Sequence, residues 1–250
     1  MKTIIHYHNK NYIINLNAGV DISLSIQQAK DAASAWYCSP PDISPVMTEH
    51  FVGSVQKGGA VNFNNIAFNP HGNGTHTECV GHISKEFYSI NQLLKRSFFL
   101  AQLITIEPKK IAEDQIITLA QLQTEFRPAS NIEALVLRTL PNLESKRKRQ
   151  YTNTNPPFVE AKAMNWLYEQ GIRHFLIDTP SVDKEVDGGV LAAHHAYWNY
   201  PQNPRFDATI TELIYVDNKL SDNLYFLNLQ TAAFENDATP SKPILYPINE

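Results

Sequence analysis

Apolar and polar positions along this chain fall mainly into short strand-like runs, with one stretch of clear helical period. Residues 4–7 and 12–15 flank H-N-K-N, which predicts two short strands joined by a turn. Residues 20–26 (V-D-I-S-L-S-I) alternate apolar and polar, the period of a half-buried strand. Apolar runs at 98–106 and 134–138 predict two further strands. Asn155-Pro156-Pro157 then leads into the run from Val159 to Gly171. Proline suits a helix's first turn, because the amide it lacks would be unpaired there. Ala161, Met164 and Leu167 share one face, and Gly171 supplies the stop. H-F-L-I at 174–177 predicts a buried strand ending at Asp178. Strand, helix and strand in that order predict a βαβ unit with a parallel pair. Residues 209–216 and 242–248 predict two more strands.

Between residues 37 and 73 the composition shifts to Pro, Gly, Ser and Asn and periodicity fades. So long an irregular stretch in a compact domain usually carries function, and residues 37–56 are the expected walls of a substrate pocket. No repeat, low-complexity tract or interdomain linker interrupts the chain, so one mixed α/β domain is expected over residues 1–250.

Composition narrows the classes. The 250 residues are 43% hydrophobic and 18% charged, with 21 Lys and Arg against 25 Asp and Glu, a net charge of −4. Disordered chains combine low hydrophobicity with high net charge, and this chain has neither. A near-neutral protein has no global basic field for nucleic acid or an anionic membrane. The basic run E-S-K-R-K-R-Q-Y (144–151) is therefore expected to be a solvated loop rather than a nucleic-acid patch. The two cysteines, Cys38 and Cys79, build no disulfide framework or zinc finger. The first apolar run breaks at His6, and the run 98–106 is interrupted by Gln102 and Thr105. Neither a secretory signal nor a membrane span is expected, and the chain reads as cytoplasmic with reduced thiols.

The chemistry gathers in H-G-N-G-T-H-T-E-C-V-G-H, from His71 to His82. His76 and Glu78 are two apart, so extended backbone points both side chains the same way. Imidazole beside carboxylate is a favourable ligand pair for zinc or manganese. Gly72 and Gly74 suit a loop folded closely around an ion. His82 can reach the same space without being a ligand, and an imidazole there can move protons. Cys79 reads either as a nucleophile activated by His76 or His82 or as a small buried filler, and the filler is expected. Farther on, His194 and His195 follow Ala-Ala, and Glu212 sits inside the apolar run I-T-E-L-I-Y. Glu212 either faces solvent or has a partner such as a metal, because an unpaired buried carboxylate is costly. Asp178, Ser181 and Asp183 in D-T-P-S-V-D are expected to be turn-formers.

At these residues the sequence resembles the cyclase-like metal-dependent hydrolases, the family of bacterial kynurenine formamidase and isatin hydrolase. The hallmark H-x-G-T-H-x-D-x-x-x-H is followed in register by Gly74-Thr75-His76, Glu78 and His82, with Glu in place of Asp. D-I-S-L-S-I, the D-T-P-S-V-D loop, A-H-H-A-Y-W and I-T-E-L-I resemble four more family segments in the family's order. The resemblance implies an α/β fold, a single mixed-sheet domain of the swivelling β/β/α type. It implies a divalent metal, zinc first and manganese second, and hydrolysis of a small amide or cyclic amide. By position His76, Glu78, His194 and Glu212 would be metal ligands and His82 the general acid/base. His194 matches the family pattern better than His195. A small-molecule substrate and a homo-oligomer, dimer or tetramer, are further implications. The motif's first His falls on Gly72, while His71 lies one residue early. Either the loop bulges and His71 still reaches the metal, or a ligand is missing. A catalytically silent relative that binds a small molecule or metal is the alternative.

Overall fold

The computed structural model describes residues 1–129 and 131–249. Ten strands form its main sheet: β1 (Lys2–Tyr7), β2 (Lys10–Asn15), β3 (Val20–Asp21), β4 (His76–Glu78), β5 (Phe98–Ile106), β6 (Ala134–Thr139), β7 (His174–Ile177), β8 (Thr209–Glu212), β9 (Leu224–Thr231) and β10 (Ala238–Asn249). Three helices matter for its packing: α1 (Leu119–Glu125), α2 (Ala161–Glu169) and α3 (Ala192–Trp198). Strands β5, β6, β7 and β8 lie side by side, all parallel, and one α-helix crosses between each consecutive pair. The expected βαβ unit is thus the middle one of three. Antiparallel pairing continues from β8 to β4, from β4 to β10, from β10 to β9 and from β9 back to β5. Seven strands therefore close into a ring, and β1, β2 and β3 extend it along β10.

Parallel strands covered on both faces read as apolar runs rather than alternations, and β5 shows why. Phe99, Ala101 and Leu103 point into one core with Val136, Leu176 and Leu227, while Leu100, Ile104 and Ile106 point into another. That second core lies under the helices, where α2 contributes Ala163, Met164 and Leu167 and α3 contributes Tyr197 and Trp198. Fully burying a side chain of this size contributes about 1.5–3 kcal/mol, so the double layer holds the ring's strand ends firmly in place.

Some sequence expectations need correction. Helix α2 starts at Ala161, not at the prolines, because Phe158–Val159 pairs instead with the strand Asp114–Ile117. Its stop at Gly171, at φ 96°, is as expected. The alternating run 20–26 is strand only at Val20–Asp21, and 209–216 only at Thr209–Glu212. Leu213 breaks the second ladder with φ 55°; its own amide bonds to the Thr179 carbonyl and the next two to the Ile177 and Ile22 carbonyls. The stretch 37–73 is not irregular throughout: Asp42–Pro45 pairs antiparallel with Asn64–Ala67. The side chains of Asn64–Ala67 are all exposed, so no hydrophobic period betrays this hairpin. The basic run is no solvated loop. It forms a 3-10 helix, Glu144–Lys148, in which buried Lys146 donates to Asp178 at 2.8 Å and Arg147 lies over the Tyr215 ring.

Candidate metal centre

Strand β4 fits between β8 and β10, with His76 opposite Glu212 on one side and Glu78 opposite Ala238 on the other. Because side chains alternate, His76 and Glu78 share a face, and Thr77 turns the other way to meet Thr211 Oγ1 at 2.8 Å. Glu212 closes the C-terminal end of a parallel strand, where α/β sheets commonly carry their sites. Thr75 anchors the approach: its Oγ1 accepts the Leu24 amide at 2.7 Å and donates to the Leu213 carbonyl. The loop before β4 is thereby tied both to the D-I-S-L-S-I segment and to the residue after Glu212.

The polar groups so assembled lack the protons to satisfy one another. His76 Nδ1 lies 3.1 Å from the Gly74 carbonyl, which can only accept, so the lone pair resides on Nε2. That Nε2 is buried without a hydrogen bond and faces Glu212 Oε2 at 3.4 Å. Glu212 Oε1 is held by the Val182 amide at 2.9 Å. His194 Nδ1 lies 2.6 Å from Asp183 Oδ2, which leaves Nε2 facing Glu78 Oε1 at 3.0 Å. The other Glu78 oxygen is buried without a well-aligned hydrogen bond, with His71 Nδ1 at 3.2 Å and His82 Nδ1 at 3.7 Å. Acceptors facing acceptors in a buried site repel unless a cation lies between them. The donor set, imidazole nitrogen with carboxylate oxygen, fits a divalent ion.

Without that ion, protons must take up the charge. Burial pushes His194 down, yet the Asp183, Glu78 and Glu212 carboxylates outweigh it and raise the ring to about 10. Burial likewise opposes His71, and Asp237 and Glu78 carry it to about 10. Burial raises Glu78, but the surrounding His82, His194 and His71 rings hold it well below the usual carboxylate range.

His71, His76, Glu78, His82 and His194 are brought together with Asp237 in three overlapping groups whose ligand atoms lie within 4.8 Å of one another, and Glu212 joins them at 3.4 Å from His76 Nε2 and 3.8 Å from His194 Nε2. His195 turns away, its Nδ1 2.9 Å from the Tyr200 carbonyl, so His194 is the one at the site. Cys79 is buried filler: its Sγ sits 3.5 Å from the Tyr88 carbonyl, and burial pushes the thiol up to about 12. Asp183 is no mere turn-former. Besides holding His194 Nδ1, it accepts the first free amides of α3, Ala193 at 2.7 Å and His194 at 3.1 Å. Its position in D-T-P-S-V-D was the available signal. Asp237 was missed altogether, although its Oδ2 lies 2.9 Å from His71 Nε2 and 3.4 Å from His82 Nδ1. It stands in a polar F-E-N-D turn, and only the register of β10 against β4 brings it to the site.

A cavity of about 320 Å³ opens over these groups, walled by Trp36, Cys38, His71, His82, Lys184 and Leu191 among others. Of the expected wall residues 37–56 Cys38 alone takes part. The loop after Asp183 supplies the opposite wall.

A family model, Cyclase, matches residues 20–184, well over half of the chain. The chain belongs to the Cyclase family. Its curated relatives include the kynurenine formamidase of Bacillus cereus, 24% identical over 196 residues that cover 78% of this chain and 85% of the relative. Among solved structures, a potential metal-dependent hydrolase with cyclase activity superposes with a TM-score of 0.67 at 15% identity, over 91% of this chain and 96% of the other. An isatin hydrolase bound to the product analogue thioisatinate superposes at 0.64 and 14% identity, covering 92% of each chain. The mixed α/β architecture of this chain is thus the one its sequence motifs implied. His194, Glu212 and Asp237 lie beyond the span that the family model matches.

Proposed function

We propose that this cyclase-family chain is a metal-dependent hydrolase of a small amide or cyclic amide. One observation carries the reading: His76 Nε2 and Glu78 Oε2 are buried without hydrogen bonds among His71, His82, Asp183, His194, Glu212 and Asp237, beneath an open cavity. His76, Glu78, His194 and Glu212, with His71 beside them, would hold the ion. Zinc is the proposed ion and manganese the alternative, since both take imidazole and carboxylate ligands. A divalent ion bound there supplies Lewis-acid polarisation of a carbonyl and a lowered pKa for water.

The chain's own groups do the rest. Asp183 fixes the His194 tautomer and ring orientation, a carboxylate–imidazole support that sharpens ligand geometry. Burial of Glu78 and Glu212 keeps competing water from their oxygens. His82 is 28% exposed at the cavity floor, so it can both meet substrate and exchange protons with solvent. It would take the proton from the attacking water at a ring nitrogen and return one to the departing amide nitrogen. Trp36 and Leu191 give the cavity apolar walls, while Lys184 and Asn69 offer donors that can orient a polar group.

The deciding experiment measures metal content of the purified protein together with hydrolysis of isatin and of N-formylated aromatic amines, before and after chelation. Turnover that disappears with chelator and returns with zinc or manganese supports the reading. Stoichiometric metal with no turnover on any amide supports a silent binding relative instead, and Gly72 at the motif's first His position is the feature that favours it. We also propose a homo-oligomer, which would cover Met47, Val55, Val61, Phe63 and Ile66, all at least half exposed. Sedimentation as a monomer at micromolar concentration would remove that proposal.

A further inference from the structure

The motif's first histidine position is held by Gly72, and no side chain fits there. A Cβ built on Gly72 would meet Cys38 Sγ at 2.5 Å and the Ala35 carbonyl at 3.0 Å. Ala35 also donates its amide to the Gly72 carbonyl at 3.0 Å, so the segment Ala35–Cys38 is bound directly to the loop at Gly72. The thiol of Cys38 occupies the space that a side chain from position 72 would need.

His71 is delivered from the neighbouring position by a tight turn. The Asn69 side-chain oxygen accepts both the His71 amide, at 2.9 Å, and the Gly72 amide, at 3.2 Å. Gly74, at φ 141°, then realigns the backbone for β4. The turn alone leaves the His71 ring free to rotate. Asp237 removes that freedom: its Oδ2 is 2.9 Å from His71 Nε2, which turns Nδ1 toward Glu78 Oε2 at 3.2 Å. Asp237 is itself fixed, because its carbonyl accepts the Cys79 amide at 3.1 Å at the start of the β10–β4 pairing. The same carboxylate oxygen lies 3.4 Å from His82 Nδ1.

We propose that Asp237 is a positioning residue that makes His71 the replacement for the ligand lost at Gly72. Resting on the metal-dependent reading above, this assigns His71 Nδ1 as the atom that faces the ion and Asp237 as the group that orients it. A carboxylate accepting the far N–H of a ligand imidazole both fixes the ring and raises its basicity, and loss of such a partner typically costs 10–100-fold in metal affinity.

The test is a double-mutant cycle in metal affinity, with zinc titrated into chelator-treated protein against a chromophoric competitor. Wild type, His71→Ala, Asp237→Asn and the double variant are compared, and thermal unfolding of each apo-protein checks the fold. Asp237→Asn is isosteric, and the cobalt-loaded variant's visible absorption gives a second readout of ligand geometry. Asp237→Asn should weaken zinc binding about 10–100-fold, shift the cobalt spectrum, and cost little more once His71 is gone. Unchanged affinity in Asp237→Asn overturns the proposal. Full additivity overturns it too, because Asp237 then acts independently of His71. If wild type binds no divalent ion, the metal-dependent reading itself fails. A wild type that binds tightly while the variants match it sinks this assignment alone.

Discussion

Glu212 stands opposite His76 across the antiparallel β8–β4 pair, its Oε2 3.4 Å from the unpartnered His76 Nε2. Residues 136 positions apart in sequence thus become a facing ligand pair through strand register alone. Glu212→Gln keeps the side chain's shape and an oxygen for the Val182 amide, but removes the charge that balances a cation. The variant should fold, and its zinc affinity should fall at least about tenfold, since charged partners dominate such sites. Equilibrium dialysis with metal analysis reads this directly, and wild-type affinity in Glu212→Gln would remove Glu212 from the ligand set.

His82 is the most exposed of the clustered histidines, 28% against 21% for His71 and 2% or less for His76 and His194. Its ring sits 4.3 Å from that of His71 and 5.3 Å from that of His194, close enough to serve a substrate held over them. His82→Ala should lower kcat by about 10²–10⁴, the usual worth of a general acid/base, while metal content stays within error of wild type. Stoichiometric loss of metal would instead make His82 a ligand.

How much of this was legible in the sequence depends on the range of the interaction. His76, Glu78 and His82 lie in one short motif, so alternation and spacing placed them together before any fold was known. Glu212 announced itself by contrast, a carboxylate inside an apolar strand. Asp237 gave no such signal, and Asp183 only its place in D-T-P-S-V-D: short acidic residues in polar turns are common, and only helix placement and β10 register give these two a partner. The strands followed the same rule. Runs buried on both faces, such as β5 and β7, stand out, whereas the 42–67 hairpin buries neither face and shows no period. The Leu213 break is a tertiary effect, set by three carbonyls from two separate segments, and nothing in I-T-E-L-I-Y marks it.

The run E-S-K-R-K-R hides a structural lysine. Lys146 Nζ donates to the Thr139 carbonyl at 2.6 Å, the Thr139 hydroxyl at 2.8 Å and Asp178 Oδ2 at 2.8 Å. Asp178 is buried, and its other oxygen accepts the Thr139 hydroxyl at 2.8 Å. Lys146→Met would leave that carboxylate buried and uncompensated, a loss that costs about 3–5 kcal/mol for buried pairs. Urea denaturation of the apo-protein measures it. A change below about 1 kcal/mol, the worth of an exposed pair, would show that water reaches Asp178 and that the pair is not structural.

His174 gives the fold an acid-sensitive side independent of the metal centre. It begins β7 with its ring 3.8 Å from that of Phe99 and its Nδ1 2.9 Å from Thr209 Oγ1. Burial lowers its pKa, and the Arg96 and Arg173 guanidiniums lower it further, from 6.5 to about 3. In the unfolded chain the ring regains its ordinary affinity for protons. As pH falls through 6.5 the unfolded state therefore takes up a proton that the folded state refuses until about 3. Stability from this group is complete above 6.5 and is lost progressively as pH drops toward 3. The slope approaches about 1.4 kcal/mol per pH unit, the free energy of one bound proton per unit. His174→Gln removes the titration while its amide can still meet Thr209. Its unfolding free energy from urea titrations should decline less steeply than wild type between pH 6 and pH 4.5, by up to about 2 kcal/mol over that interval. Both proteins must be chelator-treated, so that proton competition at the metal centre cancels. Parallel declines in the two proteins would mean that His174 is protonated in the folded state as readily as in the unfolded one, and that its burial among Phe99, Thr209 and the two arginines is looser than the packed ring distance implies.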